Sequence, residues 1–436
     1  MALTGRTALL AALGSLLVGL LLPSWTGIAT VGGLLLAGVL ADLLLAAPVR
    51  TLQLTRQGDS AVRLGEPATV SLTVANPSRR RLRARLRDAW PPSSFRPGSE
   101  QLASRHSLLV PAGERRRIDT ALLPTRRGDH RAHRLTVRSL GPLGLAGRQG
   151  SHLVPWTLRA LPPFTSRKHL PSRLARLREL DGRTSLLTRG QGTEFDSLRE
   201  YLPGDDVRSI DWRASARRQT VAVRTWRPER DRHILIVLDT GRTSAGRVGD
   251  APRLDAALDA ALLLTALATK AGDRVDLLAH DLRQRGSVLG RSASEVLPAF
   301  TNAMAVLEPA LVETDMRALT AAALRLAPRR SLIVLLTGLD AGPVEDGLLP
   351  VLPRLTHRHQ VVVASVADPR LSELALARGT LAGVYGAAAA EQAPTARRSV
   401  ADRLTRLGAT VLDAPPAALP PALADAYLAL KAAGKL

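Results

Sequence analysis

Four carboxylates, Asp205, Asp206, Asp211 and Asp239, fall in one short stretch of the chain. Carboxylates gathered this way could hold a divalent cation and activate water, the chemistry of a metal-dependent hydrolase. Arg199, Arg208 and Arg213 are interleaved with them, as are Glu194, Asp196 and Glu200. Bidentate carboxylate–guanidinium pairs would instead fix a local geometry, and solvated charges would do neither. The stretch also holds Tyr201, Pro203, Gly204, Trp212 and Ser215. Leu202-Pro203-Gly204-Asp205 reads as a tight turn, with Gly204 able to take a positive φ. Asp205 and Asp206 are then expected at the surface, facing a partner. Asp211 and Trp212 are expected to dock the stretch on the rest of the fold, Trp212 as a buried apolar anchor. No Gly-x-Ser-x-Gly elbow, Walker A loop or HExxH helix occurs. His357-x-His359 has no nearby acids, and the absence of cysteine excludes disulfides and thiolate sites. No catalytic residue is assigned.

The surrounding pattern says what must position these residues. Phe195, Leu198 and Leu202, at i, i+3 and i+7, predict one face of a helix. Thr220 to Trp226 alternates as a strand, and Ile234 to Leu238 is the apolar run of a buried parallel strand ending in Asp239. Strands are expected at 274–280, 331–337, 360–366 and near 410–412. Helices are expected at 253–271, 294–307, 315–327, 344–357 and 418–432, with a surface helix or loop at 380–392. This alternation implies a parallel sheet covered on both faces. Ligands of such sheets bind outside the carboxyl ends of the strands. Three loops converge there: Asp239 to Ser244, Glu313-Thr314-Asp315, and Thr337-Gly338-Leu339-Asp340. Asp239 and Thr314 could equally serve as caps and loop anchors.

The 436 residues carry a net charge of +22, with 45% hydrophobic and only 3% aromatic residues. Ala8 to Leu22 and Ile28 to Ala47 are apolar and predict a transmembrane helical hairpin over residues 1–50. Arg6, Arg50 and Arg56 flank it, so both ends are expected in the cytoplasm, with Trp25 at the far interface. A cleavable signal peptide is the competing reading of the first run. Asp42 is costly in a span unless paired, and is expected to face the other helix. Short alternating strands with regular turn signals predict a small β-sandwich over 51–160, closed by Gly141-Pro142-Leu143-Gly144-Leu145. Residues 161–232 read as a linker, with a basic helical piece, plus the charged stretch. Residues 233–436 form the α/β domain. The arginine excess suits anionic lipid or plain solvation; no nucleic-acid recognition motif accompanies it.

In order, FDSLREYLPGDDVRSIDWRASAR resembles the signature of the DUF58 family of bacterial membrane-associated proteins. The resemblance implies that the following domain is von Willebrand factor A-like, a Rossmann-type parallel sheet. It also implies a metal-ion-dependent adhesion site, built from an Asp-x-Ser-x-Ser loop, a Thr and an Asp around Mg²⁺. Asp239, Thr243 and Thr314 match that pattern. Gly241 replaces the first Ser, and Gly338 stands where the last Asp is usual, with Asp340 two residues later. Mg²⁺ is therefore expected to bind weakly or not at all, and no other cofactor is expected. The family further implies a membrane-anchored interaction protein working with a MoxR-type AAA+ ATPase in assembly or maturation of other proteins. The alternative is a membrane-bound metal-dependent hydrolase using the carboxylate cluster. The sequence sets no oligomeric state.

Overall fold

The computed structural model describes residues 2–21, 23–187, 194–203, 205–227, 232–376 and 381–436. The chain divides into two compact units, Met1–Pro163 and Phe164–Leu436.

The first unit opens with two apolar helices, Gly5–Leu21 and Trp25–Leu45. Ser24 caps the second, its Oγ accepting from the Gly27 N–H at 3.1 Å. That 21-residue helix is long and apolar enough to cross a membrane, whereas the first is shorter. The two pack together at Gly14, where a Cβ would come within 2.6 Å of Val31. Most of their leucines, and Trp25, are exposed.

The strands that follow form because apolar and charged residues alternate. In Leu82–Asp88 the side chains of Leu82, Ala84, Leu86 and Asp88 are buried, and the arginines between them are exposed. This strand pairs with Arg105–Val110 and Leu135–Leu140 in a five-stranded antiparallel sheet. Gln53–Gly58, Ala68–Ala75 and Arg115–Leu122 form a second sheet. Leu72 and Val74 of the second share one core with Leu82, Leu86, Leu135 and Val137 of the first, so the sheets pack face to face. Inside, the Asp88 carboxylate accepts from Arg56, from Trp90 Nε1 at 2.9 Å and from Thr120 Oγ1 at 3.2 Å.

Asp42 differs from expectation. It is fully buried and faces the β-structure, not the neighbouring helix. Its carboxylate accepts from the backbone N–H groups of Leu143 (2.8 Å), Leu145 (2.5 Å) and Ala146 (3.0 Å). Three N–H donors offset the desolvation of one carboxylate, which is why the charge is tolerated there. The approach requires Gly141, since a Cβ would lie 2.3 Å from Asp42 Oδ1.

The second unit is built on six strands: β1 (His233–Asp239), β2 (Arg274–His280), β3 (Gln284–Val288), β4 (Leu332–Leu336), β5 (Gln360–Val366) and β6 (Ala409–Ala414). Their order is β3-β2-β1-β4-β5-β6. All neighbours are parallel except β3, which runs antiparallel to β2 at one edge. The expected all-parallel sheet is thus a mixed one. Gln284-Arg285-Gly286-Ser287-Val288 has one large apolar residue and gave no strand signal. Ile234, Ile236 and Leu238 of β1 join one core with the helices Arg253–Lys270, Val296–Ala305 and Leu419–Ala432. Leu235 and Val237 join the other, with Met316–Leu326 and Leu352–Thr356.

The expected helix at 344–357 is two pieces, a π-turn at Pro343–Leu348 and the helix Leu352–Thr356. Pro350 and Pro353 lack the N–H that would continue it. The segment expected as helix or loop lies in a helix from Leu381 to Arg406; Thr380 is outside the described residues. The basic piece before the charged stretch is the helix Leu170–Leu187, whose Leu177 is buried in the first of these cores.

Candidate functional site

The charged stretch is a small β-hairpin and helix. Glu194–Glu200 is a strand antiparallel to Ala222–Arg227, with Leu198 opposite Arg224 and Glu200 opposite Ala222. The helical spacing of Phe195, Leu198 and Leu202 is therefore overridden by cross-strand pairing, which continues as Tyr201 N–H donates to Val221 O at 2.7 Å. The Leu202–Asp205 turn closes with Asp205 N–H on Leu202 O at 3.1 Å. Gly204 lies outside the described residues, as do the side chains of Glu194, Phe195 and Asp196.

Three of the expected carboxylates cap and pin this hairpin. Asp205 receives both Nη atoms of Arg199 (2.7 and 2.5 Å) and the Leu202 N–H (2.9 Å). It is half-buried and structural, not the exposed contact expected of it. Asp206 is exposed and accepts from the Arg208 N–H at 3.0 Å. Asp211 caps the helix Trp212–Arg218, accepting from Arg213 and Ala214 N–H at 3.0 Å each, while Arg224 Nε reaches its other oxygen at 2.9 Å. The Ala214 N–H first, and then Arg224, hold its carboxyl below the usual range. Ser215 Oγ donates to Asp211 O and accepts from the Ala222 N–H, tying the helix to the hairpin. Arg208 and Arg213 are exposed and pair with no carboxylate among the described residues. Tyr201 is half-buried and Pro203 exposed.

Trp212 is the main correction. Its side chain is not an internal anchor: the residue is 69% exposed, at the start of a seven-residue helix. Leu202 and Val207, on the same turn and helix connection, are each 61% exposed. The polar residues hold this segment together, and its large apolar residues are left outside.

The sheet edge is arranged the other way round. Asp239, at the end of β1, is fully buried. Oδ1 accepts from Gly241 N–H (2.8 Å) and Thr314 Oγ1 (2.5 Å), and Oδ2 from Thr243 Oγ1 (2.9 Å) and Thr337 Oγ1 (2.6 Å). Four donors fill the roughly four lone-pair positions of a carboxylate. Ser244 Oγ donates to Asp239 O. A serine at 241 has no room, because its Cβ would lie 2.1 Å from Thr314 Oγ1. Asp340 does not reach Asp239 through a shared ligand; it pairs with Arg253 Nη1 at 2.9 Å, with Arg397 Nη1 3.7 Å away. A Cβ at Gly338 would lie 3.5 Å from the same Arg253 nitrogen. The cavity between Thr243, Arg253 and Gly338 is about 10 Å³, room for one water at most.

The two threonines expected to share a cation with Asp239 donate to its carboxylate. The matching carboxylate is saturated, two oxygen ligands are missing, and the remaining acid is bound to a guanidinium. The structure does not bring Asp205, Asp206, Asp211 and Asp239 into one cluster, and among the described residues no three His, Cys, Asp or Glu side chains are grouped as a metal ion would need. Arg253 and Arg397 were not legible as parts of this edge, and Thr337 was expected there only as a loop residue, not as a donor to Asp239. Thr337 sits in a loop the spacing does mark, but the arginines arrive from distant helices with no motif of their own.

The family described as protein of unknown function DUF58 matches over residues 197–406. Uncharacterized protein Rv1480 of Mycobacterium tuberculosis is 29% identical over 187 residues, 42% of this chain and 58% of that protein. Uncharacterized protein YeaD of Bacillus subtilis is 26% identical over 205 residues, 46% of this chain and 50% of that protein. The chain thus spans just over half the length of the curated relatives it matches. Among solved structures, the CARDB domain of the PF1109 protein from Pyrococcus furiosus is 10% identical, covering 25% of this chain and 86% of that one, at a TM-score of 0.18. The PKD domain of an M14-like peptidase from a Thermoplasmatales archaeon is 8% identical, covering 24% and 91%, at a TM-score of 0.16. At these scores neither likeness bears on fold or function. Most of the hairpin, its helix and β1 through β5 of the six-stranded sheet lie within the part of the chain that matches the DUF58 family.

Proposed function

We propose that this protein is a membrane-tethered interaction module whose hairpin segment docks a protein partner. The observation that supports it most is the exposure of Trp212, Leu202 and Val207 on a segment whose shape is held by Arg199 with Asp205 and by Asp211 with Arg224. Aromatic side chains left at a surface beside arginines are the composition of interface cores. The helix Trp25–Leu45 supports tethering, and the arginines at 6, 50 and 56 support a cytoplasmic location for the remaining chain. The strand order, with one antiparallel edge, is compatible with a von Willebrand factor A-like domain. A MoxR-type AAA+ ATPase is the partner that the resemblance of the signature to DUF58 proteins implies.

The test is co-purification from detergent-solubilised membranes, with the intact chain as bait and the ATPase detected directly. Wild type should retain the ATPase and Trp212→Ala should lose it with an unchanged melting midpoint. Equal retention by both would contradict the reading. Reporter fusions after Arg50 and at Leu436 should both report cytoplasm; a periplasmic signal from either would overturn the topology.

A further inference from the structure

At the opposite end of the sheet from Asp239, the starts of β1, β2 and β4 border a cleft of about 1160 Å³. Five arginines line it, Arg232, Arg274, Arg291, Arg329 and Arg330, together with His233. Its one lining carboxylate side chain among the described residues is Asp273, and that is already occupied. Tyr427 Oη donates to it at 2.5 Å and Lys431 Nζ lies 3.2 Å away. Arg274 is likewise compensated, since Asp276 takes its Nη2 at 2.8 Å and His233 Nε2 at 3.0 Å. Among the described residues, Arg232 makes no ion pair or hydrogen bond with a carboxylate, though its charge acts on Asp273; Arg291, Arg329 and Arg330 have no carboxylate partner, and Arg330 reaches Lys435 O at 3.5 Å. Arg232 Nη1 is buried and makes no hydrogen bond.

A buried guanidinium N–H without an acceptor is a cost that a bound anion would remove. Planar forks converging on a concave site match the oxygens of a phosphate group better than those of a flat acidic surface. We infer that this cleft binds a phosphate-bearing anion, with Arg232 as the inner contact and Arg291, Arg329 and Arg330 around the mouth. The phosphate could belong to a free polyphosphorylated compound or to an anionic lipid headgroup; the recognising chemistry is the same. This site is separate from the hairpin segment and does not depend on the partner reading.

The experiment uses the full chain in nanodiscs of neutral phosphatidylcholine at physiological ionic strength, where exposed charges are largely screened. Calorimetry with inorganic tripolyphosphate forms one arm. Titration of the same nanodisc-held chain with water-soluble dihexanoyl phosphatidylglycerol, below its micelle-forming concentration, forms the other. Arg232→Gln and the triple variant Arg291→Gln/Arg329→Gln/Arg330→Gln are compared with a control triple, Arg317→Gln/Arg325→Gln/Arg398→Gln, which removes equal charge elsewhere. Saturable binding in at least one arm is expected, with roughly tenfold weakening in both cleft variants, about 1.4 kcal/mol, and less than about twofold in the control. The mouth arginines are exposed, so the triple variant should keep the wild-type melting midpoint and remain informative if Arg232→Gln is unstable. Binding in the first arm identifies a free phosphate compound, and binding in the second alone identifies a headgroup. No binding in either arm, or equal weakening in the control, would overturn the site.

Discussion

The sheet edge around Asp239 and the hairpin around Asp211 use the same residue type in opposite ways. Asp239 lies inside, saturated by one N–H and three hydroxyls, with Arg253 bound to the nearby Asp340. Asp211 lies near the surface, where it caps a short helix and holds Arg224. Both are structural, but they leave different surfaces. At the sheet edge the Asp239 carboxylate and its hydroxyl donors satisfy one another, although Arg253 Nε, buried beside them, has no partner. On the hairpin, polar groups shape the backbone and leave Trp212, Leu202 and Val207 free to be covered by something else. We therefore propose recognition at the hairpin, although the topology of the sheet would have favoured its edge.

The sharpest way to break this contrast is Asp239→Ala. It strands four donors, three of them buried, and the loss of stability should be about 3 kcal/mol or more, read by urea unfolding of the intact chain. A negligible loss would mean that the edge is looser than its hydrogen bonds imply. Asp211→Ala should have a smaller effect, a lower melting midpoint from a lost helix cap and a lost arginine partner. Its sign with pH is set by the depressed pKa. The folded state holds this proton less tightly than the unfolded state, whose carboxyl sits near 3.8. The stabilisation is thus present above that value and lost as pH falls through the lower folded pKa. Asp211→Ala should flatten this acid limb, and an unchanged limb would count against the capping role. Mg²⁺ should have the least effect of all: added to wild type it should give no calorimetric heat of binding and no shift in melting midpoint. A micromolar site abolished by Asp239→Ala would show that the edge can open around a cation.

Much of the α/β unit could be read from sequence because its strands are continuous apolar runs. Gln360 to Val366 behaves as expected to the residue, and the apolar periodicity of Arg253–Lys270 marks a helix buried on several sides. What could not be read has physical causes. β3 is an amphipathic edge strand that pairs on one side only. The strands 128–131 and 146–152 are rich in Arg, Gly, Gln and His and take their form from their neighbours. The hairpin was mistaken for a helix because i, i+3, i+7 spacing also occurs across a strand and turn. In the candidate site, the loops at Asp239, Thr314 and Gly338 were correctly brought to one edge by alternation alone. The partners that close that edge, Arg253 and Arg397, depend on tertiary packing. The exposure of Trp212 was missed because size and apolarity argue for burial, and only the seven-residue length of its helix argues otherwise.

The central claim is that recognition lies on the hairpin and not on the sheet edge. The most direct measurement is the affinity of a purified MoxR-type ATPase for the nanodisc-held chain, compared among wild type, Trp212→Ala and Arg242→Ala. Arg242 is an exposed residue of the sheet edge, paired only with Glu313 at the surface. The account predicts at least roughly tenfold weaker binding for Trp212→Ala and an unchanged affinity for Arg242→Ala. Loss of binding with Arg242→Ala, while Trp212→Ala binds as wild type does, would contradict it.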